Sequence, residues 1–147
     1  MISAFNSDVL GFRFKKSKMW LSFHFVSLNP LNTDNLSEVK FVFDTGAIGI
    51  LLSRETFEYL GYDNLSYIRN IKIGGITGHA ILGKEYQIPG FYVAGKFFIE
   101  NPTIRVPDIA NGCKNLLGQS VLRTRNYYID NESNLIYFAR KELERQL

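Results

Sequence analysis

Short apolar stretches, separated by Gly, Pro, Asn and Asp, follow one another along the chain. Over residues 19–26, Leu21, Phe23 and Phe25 alternate with more polar side chains. Alternation with a period of two is typical of a β-strand that buries one face. The pattern therefore predicts an all-β fold, and the many aromatic and β-branched residues favour the same conclusion.

The predicted strands are short and end at turn-forming residues. They span residues 12–14, 19–26, 38–43, the two arms of a hairpin over 71–82, then 91–93, 96–99, 103–106, 116–117, 127–129 and 135–138. Residues 27–37 are polar and predict a loop. Two short helices are predicted, one over 54–60 with Ser53 as its N-cap and Gly61 as its end, and one over 119–125.

Length and charge bound the kind of protein that this is. The chain has 147 residues, enough for one domain with a sizeable core, and a formal net charge of +3. Its one basic cluster is Arg13, Lys15, Lys16 and Lys18. No nucleic-acid-binding motif accompanies the cluster, which therefore predicts a solvated hairpin turn. We expect no nucleic-acid partner.

Cysteine and histidine are scarce. Cys113 is the only cysteine, which excludes an internal disulfide and suits a reducing compartment. One Cys and two His supply no zinc-ligand set, and no metal or organic cofactor is expected. Residues 1–10 lack the apolar core of a signal peptide, and no segment has the length of a membrane span. We expect a cytoplasmic protein without a membrane partner.

A candidate for chemistry follows the predicted strand over 38–43. The tetrapeptide Asp44-Thr45-Gly46-Ala47 places a carboxylate at the end of this apolar strand and is followed by another apolar run, 50–52. A buried carboxylate is costly unless it is hydrogen-bonded or shares a proton. Asp and Gly are also ordinary turn formers, but a surface turn does not require apolar flanks on both sides.

The tetrapeptide resembles the active-site loop of the retropepsin family, the single-domain aspartic proteases that work as homodimers. A second segment, Asn115-Leu116-Leu117-Gly118, resembles the other signature of that family, in which an aliphatic pair forms the strand beneath the catalytic loop. Two such motifs in the family's order carry more weight than either alone. The resemblance implies that Leu116 lines a substrate pocket.

The glycine-rich tip of the hairpin over 71–82 resembles the retropepsin flap, which folds over bound peptide. The resemblance implies that Gly75, Ile76, Thr77 and Gly78 contact substrate. Glycine suits such a tip because the main chain must move and lie against the ligand. The alternative is an ordinary hairpin with a glycine-rich turn.

Two positions depart from the retroviral pattern. Retroviral members have two acids after the Ala of the first motif and an Arg after the Gly of the second, and one acid pairs with that Arg. This chain has Ile48 and Gly49, and Gln119, at these places. Both charges of the pair are absent together, so no partner is left unpaired. The sequence is thus typical of a diverged, non-retroviral member, and retroviral subsite preferences are not carried over.

Taken together, the resemblance implies a retropepsin-like acid-protease barrel with a flap hairpin and one or two short helices. We predict a single domain over 1–147, with the resemblance over 38–139, N-terminal strands over 12–26 and a charged tail over 140–147. One Asp-Thr-Gly per chain is half of an aspartic protease site, which predicts a C2 homodimer.

The predicted activity is peptide-bond hydrolysis by a water that the two copies of Asp44 activate. Thr45 and Gly46 complete the catalytic loop, with Thr45 bracing the two loops across the dimer axis. Ala47 and Ile48 are predicted to contact a peptide or protein substrate. Two alternatives stay open: a catalytically weak peptide-binding or assembly module on the same fold, or one domain of a larger protein.

Overall fold

A computed structural model of the chain describes residues 9–13, 20–43, 49–74, 79–93, 97–118, 126–130, 132 and 135–139. Within these ranges it forms twelve β-strands, one α-helix and one short 3-10 helix. The strands are β1 Val9–Arg13, β2 Trp20–Val26, β3 Leu36–Phe43, β4 Ile50–Leu51, β5 Arg69–Ile73, β6 Ile81–Gln87, β7 Gly90–Val93, β8 Phe97–Glu100, β9 Thr103–Pro107, β10 Leu116–Leu117, β11 Tyr127–Asp130 and β12 Leu135–Ala139. The all-β prediction is confirmed.

The strands form two sheets. One has nine strands in the order β5-β6-β9-β4-β10-β3-β2-β7-β8, and the other has three in the order β1-β12-β11. Most neighbours are antiparallel, but β10 runs parallel to β3 and β4 runs parallel to β9. The two-residue strand β10 is the central strand of the larger sheet.

Aromatic side chains fill the core behind the middle of the larger sheet. Phe23 and Phe25 of β2, Phe41 of β3 and Phe91 of β7 are fully buried. The rings of Phe25 and Phe91 stack with centroids 4.6 Å apart, and those of Phe25 and Phe41 with centroids 5.5 Å apart. Buried rings of this size remove a large apolar area from water. The alternation along β2 therefore marks its core face correctly.

The helix α1, Arg54–Tyr59, follows β4 and lies where the sequence predicts it. The Ser53 hydroxyl accepts a hydrogen bond from the Thr56 amide, as an N-cap does. Gly61 follows with φ of 79°, and a Cβ there would lie 2.6 Å from the backbone nitrogen of Asn29. The helix therefore ends where only glycine fits. The 3-10 helix Tyr62–Asn64, which the sequence does not predict, comes next.

The N-terminal strands correct one prediction. The sequence predicts a hairpin whose turn carries the basic cluster, which requires the first two strands to pair with each other. Instead β1 pairs with β12, from Val9 opposite Ala139 to Arg13 opposite Leu135, while β2 pairs with β3 and β7. Local alternation marks a strand but not its distant partner. Lys15, Lys16 and Lys18 lie outside the described residues, as does the predicted helix over 119–125.

Several strand boundaries differ from those predicted. β1 begins at Val9 rather than residue 12, and β3 begins at Leu36, inside the predicted loop. β6 continues to Gln87, five residues beyond the predicted end of the hairpin. β4 has only two residues and is not predicted as a strand. Neither helix in the described part of the chain has the length or apolar character of a membrane span.

The hairpin predicted over 71–82, which we call the flap hairpin, is formed by β5 and β6, which pair antiparallel up to Ile73 opposite Ile81. Gly83 of β6 lies between Ile71 of β5 and Pro107 of β9. A Cβ on Gly83 would lie 2.6 Å from the Val106 carbonyl oxygen and 2.7 Å from Ile73 Cδ1. The hairpin can therefore lie this close to β9 only because residue 83 has no side chain.

Gly83→Ala should lower the free energy of unfolding by about 1–3 kcal/mol, because a methyl group must displace backbone of β9. Gly74→Ala is the matched control, since no atom of the described residues lies within 4 Å of its added Cβ. Chemical denaturation measures both. Equal unfolding midpoints for the two variants would contradict the close packing at Gly83.

Candidate active site

The strand β10 holds both ends of the segment 44–48. Leu117 pairs with Phe43, the last residue of β3, and with Ile50, the first residue of β4. The Gly118 amide donates to the Gly49 carbonyl at 2.8 Å, and the Val42 amide donates to the Asn115 carbonyl at 2.9 Å. The second motif thus lies directly beside the residues that flank the first, as the resemblance implies.

Most of the predicted site residues lie outside the described residues. These are Asp44, Thr45, Gly46, Ala47 and Ile48 of the first motif, and Gly75, Ile76, Thr77 and Gly78 of the hairpin tip. Their roles stay predictions. Leu116 is the one predicted site residue that the structure places.

Leu116 and Leu117 lie on opposite faces of the sheet. Leu117, Phe43 and Ile50 pair across the strands and belong to the core, where Leu117 is fully buried. Leu116 is half-buried and pairs with Val42 and Leu51. Residues directly opposite each other share a face. Leu116 is therefore directed away from the core, which agrees with a pocket-lining role for it and not for Leu117.

The same face continues across the sheet toward the flap hairpin. Leu51 is opposite Arg105 of β9, Arg105 is opposite Glu85 of β6, and Glu85 is opposite Arg69 of β5. We call this line of side chains the Leu116 row; its members are Val42, Leu116, Leu51, Arg105, Glu85 and Arg69. The row joins the strands around segment 44–48 to the base of the flap hairpin.

Asn115 cross-links the strands and the helix behind the site. Its side-chain amide donates to the Lys40 carbonyl at 3.1 Å and to Thr56 Oγ1 at 3.3 Å. Its Oδ1 accepts from the Ser53 amide at 2.8 Å. One side chain therefore fixes β10 to β3 and to the start of α1. The sequence marks Asn115 as part of a motif but does not indicate this role.

Arg105 is a second residue that the sequence does not single out. A Cβ built on Gly49 would lie 3.6 Å from Arg105 Nε and 3.9 Å from its Cζ. The guanidinium thus borders the position that a side chain would take on Gly49, the first described residue after segment 44–48. Nothing in the local sequence could indicate this, because β9 and β4 meet only through sheet pairing.

Two other titratable groups, Lys84 and Cys113, have shifted pKa values for structural reasons. Lys84 Nζ binds Asp108 Oδ1 at 2.8 Å, and this hydrogen bond raises the pKa of Lys84. Burial raises the pKa of the half-buried Cys113 thiol, which disfavours its reactive thiolate form. Among the described residues no group of three or more His, Cys, Asp or Glu could hold a metal ion.

At the sequence level, no protein-family model and no curated protein matches the chain. Among solved structures, the chain is similar to a retropepsin-like aspartic protease from Rickettsia conorii, with a TM-score of 0.64. The chain has a retropepsin-like fold. The sequences are 21% identical, and the match covers 92% of this chain and 93% of the other. The likeness spans nearly the whole of both chains and confirms the fold that the two motifs predict.

Asn115→Ala should lower the free energy of unfolding by about 2–4 kcal/mol, because three hydrogen bonds are lost and the amide of the buried Ser53 is left without its acceptor. Asn111→Ala is the control, since its exposed Oδ1 accepts only the amide of Cys113 two residues on. Thermal and denaturant unfolding of both variants measure the difference. A loss below 1 kcal/mol for Asn115→Ala would contradict its role as the cross-link.

Proposed function

We propose that the chain is an aspartic endopeptidase, with a catalytic water held between two copies of Asp44 in a homodimer. One observation carries the proposal. The Asp44-Thr45-Gly46-Ala47 sequence stands in a retropepsin-like fold between two strands, β3 and β4, that pair with the same Leu116–Leu117 strand. The second motif therefore pairs with the strands on either side of the first motif, in the expected order along the chain.

The proposed chemistry needs two carboxylates that share one proton. Two carboxylates at such a short separation do not ionise together easily, so the pair titrates as a unit. The ionised member removes a proton from the water, which attacks the scissile carbonyl carbon. The protonated member donates to the carbonyl oxygen, which gives a tetrahedral species with two hydroxyl groups. The C–N bond then breaks as the first member gives its proton to the leaving nitrogen and the second takes a proton back from a hydroxyl group, which restores the pair. No metal ion is needed for these steps.

The described residues support this assignment in two ways. The pairing of Phe43 and Ile50 with Leu117 fixes where segment 44–48 leaves and re-enters the sheet. Precise placement of reacting groups is worth a large part of an enzyme's rate. The half-buried Leu116 and Val42 offer an apolar wall for a substrate side chain on the face away from the core. The flap tip 75–78 is proposed to cover the bound peptide from the hairpin side.

Asp44→Asn should lower the rate of peptide cleavage by several orders of magnitude, because an amide of nearly the same shape cannot act as the base. The wild type should show a bell-shaped dependence of rate on pH, centred on the acidic side, where the pair holds one proton. Asp63→Asn, at an exposed position in the 3-10 helix, is the matched control and should leave the rate unchanged. The rate at which the wild type, Asp44→Asn and Asp63→Asn cleave a peptide library is measured at each pH.

If the wild type and Asp44→Asn bind the same peptides and neither cuts them from acid to neutral pH, the protease proposal is wrong. That result would favour a peptide-binding or assembly module on the same fold.

A shared site also makes a prediction for mixtures. When wild type and Asp44→Asn are mixed in equal amounts and allowed to exchange subunits, the activity should be about a quarter of that of the same total amount of wild type, because random pairing leaves that share of all-wild-type dimers. Sedimentation should show that activity follows the dimer on dilution. An equal mixture that keeps half of the wild-type activity, or an active monomer, would contradict the shared site.

A further inference from the structure

The side chain of Arg105 is directed to the edge of the proposed catalytic segment. The three atoms nearest to a Cβ built on Gly49 all belong to its guanidinium: Nε at 3.6 Å, Nη2 at 3.8 Å and Cζ at 3.9 Å. Gly49 follows segment 44–48 directly, and its own carbonyl is held by the Gly118 amide. The cation therefore borders a space that exists because residue 49 has no side chain.

The carboxylate that could pair with Arg105 is engaged elsewhere. Glu85 lies directly opposite Arg105 in the sheet, but its Oε2 binds Nη2 of Arg69 at 3.2 Å on the other side. Within the described part of the chain, Arg105 makes no ion pair and its guanidinium donates no hydrogen bond. The half-buried guanidinium is therefore free to bind an anion supplied from outside the chain.

The place of Arg105 in the sheet connects it to the proposed substrate site. It lies in the Leu116 row, two strands away from Leu116, with Leu51 between them. Ile73 and Ile81, at the base of the flap hairpin, are on the same face of β5 and β6 as Arg69 and Glu85. A peptide that extends along this face from segment 44–48 toward the flap hairpin would pass the guanidinium.

We propose that Arg105 selects peptides with an Asp or Glu side chain at one position, and that the carboxylate binds the guanidinium in the space beside Gly49. The proposal rests on the proposed function and deepens it. Guanidinium is suited to this role because its planar fork of N–H groups matches a carboxylate and stays charged at all relevant pH values. Lys lacks the fork, so the two cations are not equivalent here.

A set of otherwise identical peptides, each with Glu or Gln at one position, tests the proposal. For the wild type, Glu should raise kcat/KM about tenfold over Gln at a single position. In Arg105→Gln this ratio should fall to about one, and in Arg105→Lys it should lie between the two. Lys72→Gln, which removes an exposed cation from the opposite face of β5, is the net-charge control and should keep the wild-type ratio.

Gly49→Asp is a second, independent test. Its carboxylate would lie within ion-pair reach of Arg105, because the Cβ is already in contact with the guanidinium. The internal ion pair should abolish the preference for Glu, whereas Asn64→Asp, which adds the same negative charge at an exposed position in the 3-10 helix, should keep it. This pair of variants leaves Arg105 in place, so it remains informative if Arg105→Gln does not fold.

The outcomes separate the inference from the proposed function. Binding of the same Glu and Gln peptides is measured in the wild type and in Asp44→Asn. Glu-selective binding without any cleavage would overturn the protease proposal and support the role of Arg105. If Glu raised cleavage equally at every peptide position, the preference would come from the net positive charge of the chain. That result would overturn the inference. Equal slowing of the Glu and Gln peptides by Arg105→Gln would also overturn the inference. Arg105 would then only support segment 44–48 and would not select the substrate.

Discussion

The simultaneous pairing of β10 with β3 and β4 is the constraint on which the proposed site depends. Two residues, Leu116 and Leu117, carry hydrogen-bonded partners on both sides, and the flanking Asn115 and Gly118 add further bonds to β3 and to Gly49. These contacts fix both ends of segment 44–48. They also divide the sheet into a core face behind Leu117 and a second face, here called the Leu116 face, on which Leu116 is half-buried and Leu51 is buried. Core packing and the proposed substrate face thus meet at one dipeptide.

The positions of the charged side chains on the Leu116 face follow from the same pairing. Sheet register places the carboxylate of Glu85 between the two cations Arg105 and Arg69. Glu85 binds Arg69 at the outer end of the row, so Arg105 extends toward Gly49 instead. Retroviral members have two acids where this chain has Ile48 and Gly49. With Arg105 beside Gly49, the proposed site carries a positive charge where retroviral members carry negative ones. This is why substrate preference is better inferred from Arg105 than from the retroviral pattern.

Local patterns predict much of this fold. The alternation along β2, the cap at Ser53 and the glycine at Gly61 each act over a few residues, and the structure confirms all three. The pairing of the two motifs is also indicated, because each has a recognisable sequence. The partner of β1 and the two-residue strand β4 are not, since pairing between distant segments leaves no local periodicity. A role for Arg105 cannot be predicted for the same reason. It is a single charge between Ile104 and Val106, and only the pairing of β9 with β4 brings it close to Gly49.

The central claim is that two chains form one catalytic site. A non-cleavable peptide with a hydroxyl group in place of the scissile carbonyl imitates the tetrahedral species and should bind far more tightly than a substrate. Titration calorimetry at acidic pH measures its stoichiometry directly. We expect one inhibitor to bind for every two chains, with binding greatly weakened in Asp44→Asn. One inhibitor for each chain, or equal binding by wild type and Asp44→Asn, would contradict it.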